Sequence, residues 1–273
     1  MENMLDKEYF HFGNNKIRRE LWLNLYMQKK YNNYAKPLGG LWCSMQNDYI
    51  LCDWLLYIEE MSQYGYGYNY EDYIYDKNSS LIKFKNTSKL LSINDKNDFK
   101  NLKDSGLTIK LDEPMRTSNE VNFIYFQELP DYEKLKKMYD LLYVNPYADD
   151  SLNQYSINTM LAINPDAIEY YRSIKCDYYN RKIINIGKKQ TISNLSSEYL
   201  QLLKYIKKLI VIKTKQFNID LYELKNELVN ELMSNKNISN LIPNDIDKKH
   251  ALGVAIMNMY NEIQDEKKLV LHN

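Results

Sequence analysis

Leu81-Ile82-Lys83-Phe84-Lys85-Asn86-Thr87-Ser88-Lys89-Leu90-Leu91-Ser92-Ile93 is the stretch that decides the fold class. Two apolar runs, each of strand length, flank the turn-prone Asn86-Thr87-Ser88, so two strands are expected. Downstream, residues 95–102 read as a capped helix and residues 107–111 and 121–126 as further strands. Residues 132–143 read as a helix. Met160-Leu161-Ala162-Ile163 reads as a strand, closed by the turn Asn164-Pro165-Asp166.

Upstream, Ile17, Leu21 and Leu25 lie at helical spacing and predict a helix over 16–35. Lys36-Pro37-Leu38-Gly39-Gly40 stops it, because Pro lacks a backbone donor and the glycines permit a turn. Leu41-Trp42-Cys43-Ser44 then reads as a short buried strand. Residues 53–61 read as a helix with Trp54, Leu55 and Ile58 inward, and Tyr64-Gly65-Tyr66-Gly67-Tyr68 as a loop. This interleaving without a repeated βαβ unit predicts an α+β fold: a mixed, mostly antiparallel sheet with packed helices over residues 1–190. Beyond it the strand-like runs stop. A helix from Ser196, a second capped by Asp220 with Glu223 at the third position, and a third starting at Asp245 or Asp247 predict an all-helical C-terminal segment, 191–273.

The 273 residues can bury a sizeable core, and 36 basic against 36 acidic residues argue against a general polyanion binder. Cys43, Cys52 and Cys176 have no zinc or redox spacing. With no apolar leader at the start, they point to a reducing, cytoplasmic setting. The longest apolar runs, such as Leu209-Ile210-Val211-Ile212, are too short to span a bilayer, so no membrane partner is expected. The 26 tyrosines fit two explanations, an AT-rich genome or a Tyr-rich recognition surface, and composition does not choose.

Two segments could carry chemistry. In Tyr9-Phe10-His11-Phe12-Gly13 a histidine ends an apolar run, where its ring either bonds a ribose or phosphate or is a satisfied half-buried side chain. In Lys36-Pro37-Leu38-Gly39-Gly40-Leu41-Trp42-Cys43-Ser44 the glycines allow a close backbone approach, and the strand sets Trp42 and Ser44 on one face. That segment is equally a turn followed by a buried strand. No GxxxxGK[ST] or GxGxxG loop is present. His250 and His272 lie far from His11, which gives little support to a Ser-His-Asp or histidine–metal site.

The aromatic-His-x-Gly start, the KPxGGLWxS segment and the Trp-containing helix after it resemble the ADP-ribosyltransferase-like fold family, His-Tyr-Glu type, over residues 9–168. In that family the first strand supplies a His to the adenosine ribose, the second a Ser, Thr or Tyr, and a later strand a carboxylate. The resemblance implies NAD as a substrate, with His11 on a ribose and Gly13, Gly40, Trp42 and Ser44 lining the site. Tyr66, or its neighbours Tyr64 and Tyr68, would flank nicotinamide. It implies transfer of ADP-ribose to a macromolecular target, expected to be a protein, by a toxin or a phage or mobile-element effector.

Cleaving the nicotinamide–ribose bond builds positive charge on the sugar, which a carboxylate stabilises. The resemblance puts that acid just before Met160, where this chain has Asn158. Glu128 and Asp150 are the nearest carboxylate alternatives, with Asp149 beside the latter. An Asn can hydrogen-bond a ribose but brings no charge. The alternative reading is therefore a catalytically degenerate member acting as a protein-binding inhibitor of a host enzyme or defence complex. A third reading takes Lys204, Lys207, Lys208, Lys213 and Lys215 as a nucleic-acid face.

Overall fold

The computed structural model describes residues 4–12, 16–26, 37–47, 51–63, 79–110, 128–155, 157–177, 182–216 and 220–271. The chain packs as two compact units, residues 1–17 with 25–192, and residues 18–24 with 193–273.

The first unit is built on one large sheet. Its strands are β1 (Glu8–Phe12), β2 (Leu41–Asn47), β3 (Leu51–Cys52), β4 (Ser79–Phe84), β5 (Leu90–Ile93), β8 (Leu141–Val144), β9 (Thr159–Ala162), β10 (Ile168–Asp177) and β11 (Lys182–Asn185). They run in the order β11-β10-β4-β1-β2-β9-β8-β5, with β3 added to β2. Every pairing is antiparallel except β5 with β8. A separate two-stranded ribbon joins β6 (Thr108–Lys110) and β7 (Glu128–Pro130). Among the described residues the unit's α-helices are α1 (Asp53–Gln63), α2 (Lys96–Asp104) and α3 (Tyr132–Met138). The mixed, mostly antiparallel sheet with packed helices is the expected fold class.

Side chains facing one another across an antiparallel pair share a face, so the register sorts the core. Phe10 stands opposite Ser44 and Leu81, and Trp42 opposite Leu161, all on one face. There Phe10, Leu81 and Ile174 pack with Cys52 and with Leu55 of α1. Further along, Ile93, Leu142, Val144 and Leu161 pack with Phe99 and Leu102 of α2 and Leu135 of α3. Each such Leu, Ile or Phe withdraws enough apolar surface to stabilise by roughly 1.5–3 kcal/mol. Asp95 caps α2, accepting from the amides of Asn97 and Asp98. The other face carries Tyr9, His11, Cys43, Ile82 and Met160.

Two expectations are corrected. The helix over 132–143 ends at Met138, and 141–144 is β8. All four of its residues are buried, between β5 and β9, and a short apolar run of that kind gives no period to tell strand from helix. The helix expected over 16–35 is absent from 16–26, where a single turn of 3-10 helix, Arg19–Leu21, is the only helical piece. Distant groups take the backbone instead. Asn258 receives the Asn24 amide and donates to the Trp22 carbonyl, and Tyr26 exchanges both backbone bonds with Leu38. Residues 27–35, and the strand expected over 121–126, lie outside the described residues. The long strand β10 was not expected, because Glu169, Arg172 and Lys175 dilute its apolar signal. Glu8 of β1 ties it down, accepting from the Tyr170 hydroxyl at 3.1 Å and the Arg172 guanidinium at 2.5 Å.

The second unit is helical: α4 (Ser197–Gln216), α5 (Leu221–Ser234), the short α6 (Lys236–Ser239) and α7 (Lys248–Leu271). Leu202, Ile206 and Ile210 meet Leu224, Leu228 and Leu232 and the Leu252–Ile256 turn of α7, each set at helical spacing. Asp220 caps α5 through the Tyr222 amide, and Asp247 accepts from the His250 amide at the start of α7. Among the described residues no helix is long and apolar enough to cross a membrane.

Candidate functional site

Strands β1, β2 and β9, which carry His11, Ser44 and the position before Met160, lie side by side in the sheet. The ladder between β1 and β2 records Tyr9 with Met45 and Phe10 with Ser44, and does not continue to His11 and Phe12. Where it stops, the His11 ring takes over: Nδ1 lies 2.9 Å from the Trp42 carbonyl oxygen. A carbonyl only accepts, so Nδ1 carries the proton and neutral His11 presents Nε2 as a bare lone pair. Nε2 has no hydrogen-bond partner among the described residues. Burial lowers the His11 pKa below its ordinary value, opposed in part by the Trp42 bond, so the ring is neutral at pH 7.

Trp42 is held from both ends. Its indole N–H donates to the Gly39 carbonyl at 3.1 Å, and its ring leans on Tyr155 with centroids 5.7 Å apart. The Tyr155 hydroxyl bonds that of Tyr132 inside the core. Gly40 has φ of +66°, and a Cβ there would lie 2.7 Å from Leu161 Cδ1 and 2.8 Å from the Ala162 carbonyl. The glycine at 40 is thus explained by its packing on β9, and the turn expected at Gly39-Gly40 is the clamp that starts β2.

Ser44 sits elsewhere. It shares the face of Phe10, whereas the next residue, His11, projects from the opposite one. Only 3% exposed, it accepts the Trp54 amide at 3.0 Å in the first turn of α1. Its hydroxyl also bonds the Cys52 thiol, which burial nevertheless pushes up to about 12. The structure therefore joins His11 to the main chain of Trp42 and leaves Ser44 as a helix anchor across the sheet.

Asn158 immediately precedes β9 and is half-buried, with no side-chain partner among the described residues. The alternation of β9 puts position 158 with Met160, on the His11 face. At ordinary sheet spacings it falls about 12 Å from His11 between α-carbons. Neither carboxylate alternative bonds Asn158 or His11 among the described residues. Glu128 belongs to the β6–β7 ribbon, where it accepts from the Thr108 hydroxyl and lies 3.7 Å from Lys103 Nζ. Asp150 opens the 3-10 turn Asp150–Tyr155, and Asp149 beside it accepts the Ser151 amide. Gly13 and Tyr66, with Tyr64 and Tyr68, lie outside the described residues. No group of three His, Cys, Asp or Glu side chains able to hold a metal occurs among the described residues.

A further feature of the site lies in the strand pairing. The register partner of His11 on β4 is Ser80, whose partner on β10 is Ser173, so a polar row runs across three central strands of the His11 face. Gly187 packs over its end, where a Cβ would lie 3.2 Å from Ser173 Cβ. Only the register reveals this row. The signal in the sequence was Ser79-Ser80 placed directly before an apolar strand.

Comparison with protein-family models, curated proteins and solved structures finds no match.

Proposed function

We propose that this chain is an ADP-ribosyltransferase-like protein that binds NAD on the His11 face of its sheet. One observation carries the reading. His11 stands where the β1–β2 ladder opens, its Nδ1 fixed on the Trp42 carbonyl and its Nε2 lone pair without a partner among the described residues. A neutral imidazole so fixed accepts a hydrogen bond from a sugar hydroxyl, the role the family resemblance gives this residue. The adjacency of the first, second and later motif strands supports it further. Glycosyl transfer asks for a carboxylate near the ribose, and position 158 offers an amide. Asn158 can orient a hydroxyl while leaving the developing positive charge uncompensated, so transfer is slow. The target is a protein.

A second reading has a specific observation in its favour. With an amide, Asn158, where the resemblance expects the acid, and Glu128 engaged by Thr108 and Lys103, the protein acts by binding, as an inhibitor of a host enzyme or defence complex.

Calorimetric titration with NAD, followed by a nicotinamide-release assay, tests both. Saturable NAD binding is expected, weakened about 3–10-fold in His11→Ala, the worth of one hydrogen bond. Asn158→Glu is expected to raise nicotinamide release by about 100-fold. Absence of NAD binding by the wild-type chain sinks the first reading. Binding that stays without turnover in Asn158→Glu favours the second.

A further inference from the structure

The lysines of α4 divide into two sets. Lys207 Nζ is held by Glu262 and Glu266 of α7, at 2.7 and 2.8 Å. Lys213 Nζ is held by Glu227 and Glu231 of α5, at 2.5 and 3.1 Å. In both cases the two carboxylates stand four residues apart on the neighbouring helix, so each ammonium is seated between successive turns. Lys204, Lys208 and, near the helix end, Lys215 are exposed, with no ion pair among the described residues. The same side of α4 exposes Leu200 at 45%, Tyr205 at 43% and Ile212 at 52%, an unusual outlay of apolar surface on one helix face.

Residues 200, 204, 208 and 212 follow one another at four-residue steps. They form a single ridge about 18 Å long, apolar at both ends and basic in the middle. We propose that this ridge docks a helix of a partner protein that presents two carboxylates four residues apart, with an apolar residue one turn beyond each. Charge complementarity selects the occupant, and α4 already seats Lys207 and Lys213 in this way on two sides. The inference does not depend on the reading of the His11 face.

Other anionic partners use the ridge less well. A nucleic acid would engage the lysines and Tyr205 but leave Leu200 and Ile212 without a role. A membrane surface would have to draw in the apolar ends while two ammonium groups stand between them.

The test uses the full chain and a labelled synthetic helical peptide with Leu-Glu-Glu-Leu at four-residue steps, read by fluorescence anisotropy. A peptide of the same composition in scrambled order is the control. Saturable binding is expected for the designed peptide alone. It should weaken at least about 10-fold in Lys204→Glu/Lys208→Glu, and return when that variant meets a Leu-Lys-Lys-Leu peptide. Ile212→Ser should weaken it with charge unchanged, and circular dichroism checks that both variants keep their helix content. Failure of the designed peptide to bind saturably overturns the proposal, as does binding indifferent to the charge reversal. So does binding of a single-stranded oligonucleotide or an anionic vesicle that is lost on charge reversal while the peptide does not bind.

Discussion

Gly40 and Gly106 share the same backbone conformation, φ of +66°, and differ in what surrounds them. Nothing lies within 4 Å of a Cβ built on Gly106. Gly106→Ala therefore meets only the left-handed penalty of about 1–2 kcal/mol, less about 0.4–1 kcal/mol from stiffening the unfolded chain, for a net loss near 1 kcal/mol. Gly40→Ala bears the same penalty and also drives a methyl to 2.7 Å from Leu161 Cδ1 and 2.8 Å from the Ala162 carbonyl. The Leu161 side chain can turn aside, but Ala162 belongs to β9, paired on one side with Leu41 and on the other with Leu141. Overpacking against such backbone adds about 1–3 kcal/mol, so the total is about 2–4 kcal/mol. At about 3 °C per kcal/mol, Tm should fall by about 6–12 °C for Gly40→Ala and about 3 °C for Gly106→Ala. Thermal melts followed by tryptophan fluorescence in a Trp22→Phe background read Trp42 and Trp54, both in the sheet unit. Equal losses at the two glycines would refute the argument from β9 packing.

His11 should titrate below its usual 6.5, because burial disfavours its charged form. Its folded pKa is depressed, so the stability it contributes is present above pH 6.5 and is lost as pH falls through the folded pKa. His11→Gln should flatten that slope, and nitrogen NMR of the ring should report the Nδ1–H tautomer. Tyr155→Phe should orphan the buried Tyr132 hydroxyl and cost about 1–3 kcal/mol, and adding Tyr132→Phe should recover part of that loss in a denaturant melt. Burial raises all three thiols, Cys176 to about 11, Cys52 to about 12 and Cys43 beyond them. Iodoacetamide at pH 8 should therefore modify the native protein slowly, Cys176 first, and the denatured chain at all three sites.

The sequence was informative wherever the cause of structure is local. Pro37, Gly39 and Gly40 announce the turn into β2, Asp95 announces α2, and the spacing of Leu224, Leu228 and Leu232 announces α5. It misled where a distant partner decides. Ile17, Leu21 and Leu25 keep a helical period, yet Asn258, more than two hundred residues away, takes the Trp22 carbonyl and the Asn24 amide, and the chain leaves its single 3-10 turn at an extended Trp22. The candidate site divides in the same way. His11 and the Trp42 segment were legible as strands bearing useful groups. That Ser44 faces away from His11 follows from the pairing of Phe10 with Ser44, and a register is a property of two strands, unreadable from either alone.

The central position of β1 has a consequence for the chain as it is made. Its neighbours β2 and β4 are complete by residue 84, and β3 adds two residues to β2, but the longer neighbours β9 and β10 end only at residues 162 and 177. At ordinary elongation rates of about 5–20 residues per second, the nascent sheet of β1, β2, β4 and the short β3 waits roughly 5–20 seconds for β9 and β10. During that interval Phe10, Leu81 and Ile82 stand in an incomplete template open to any passing strand. The topology thus exposes the unfinished sheet, rather than the finished one, to edge-to-edge pairing.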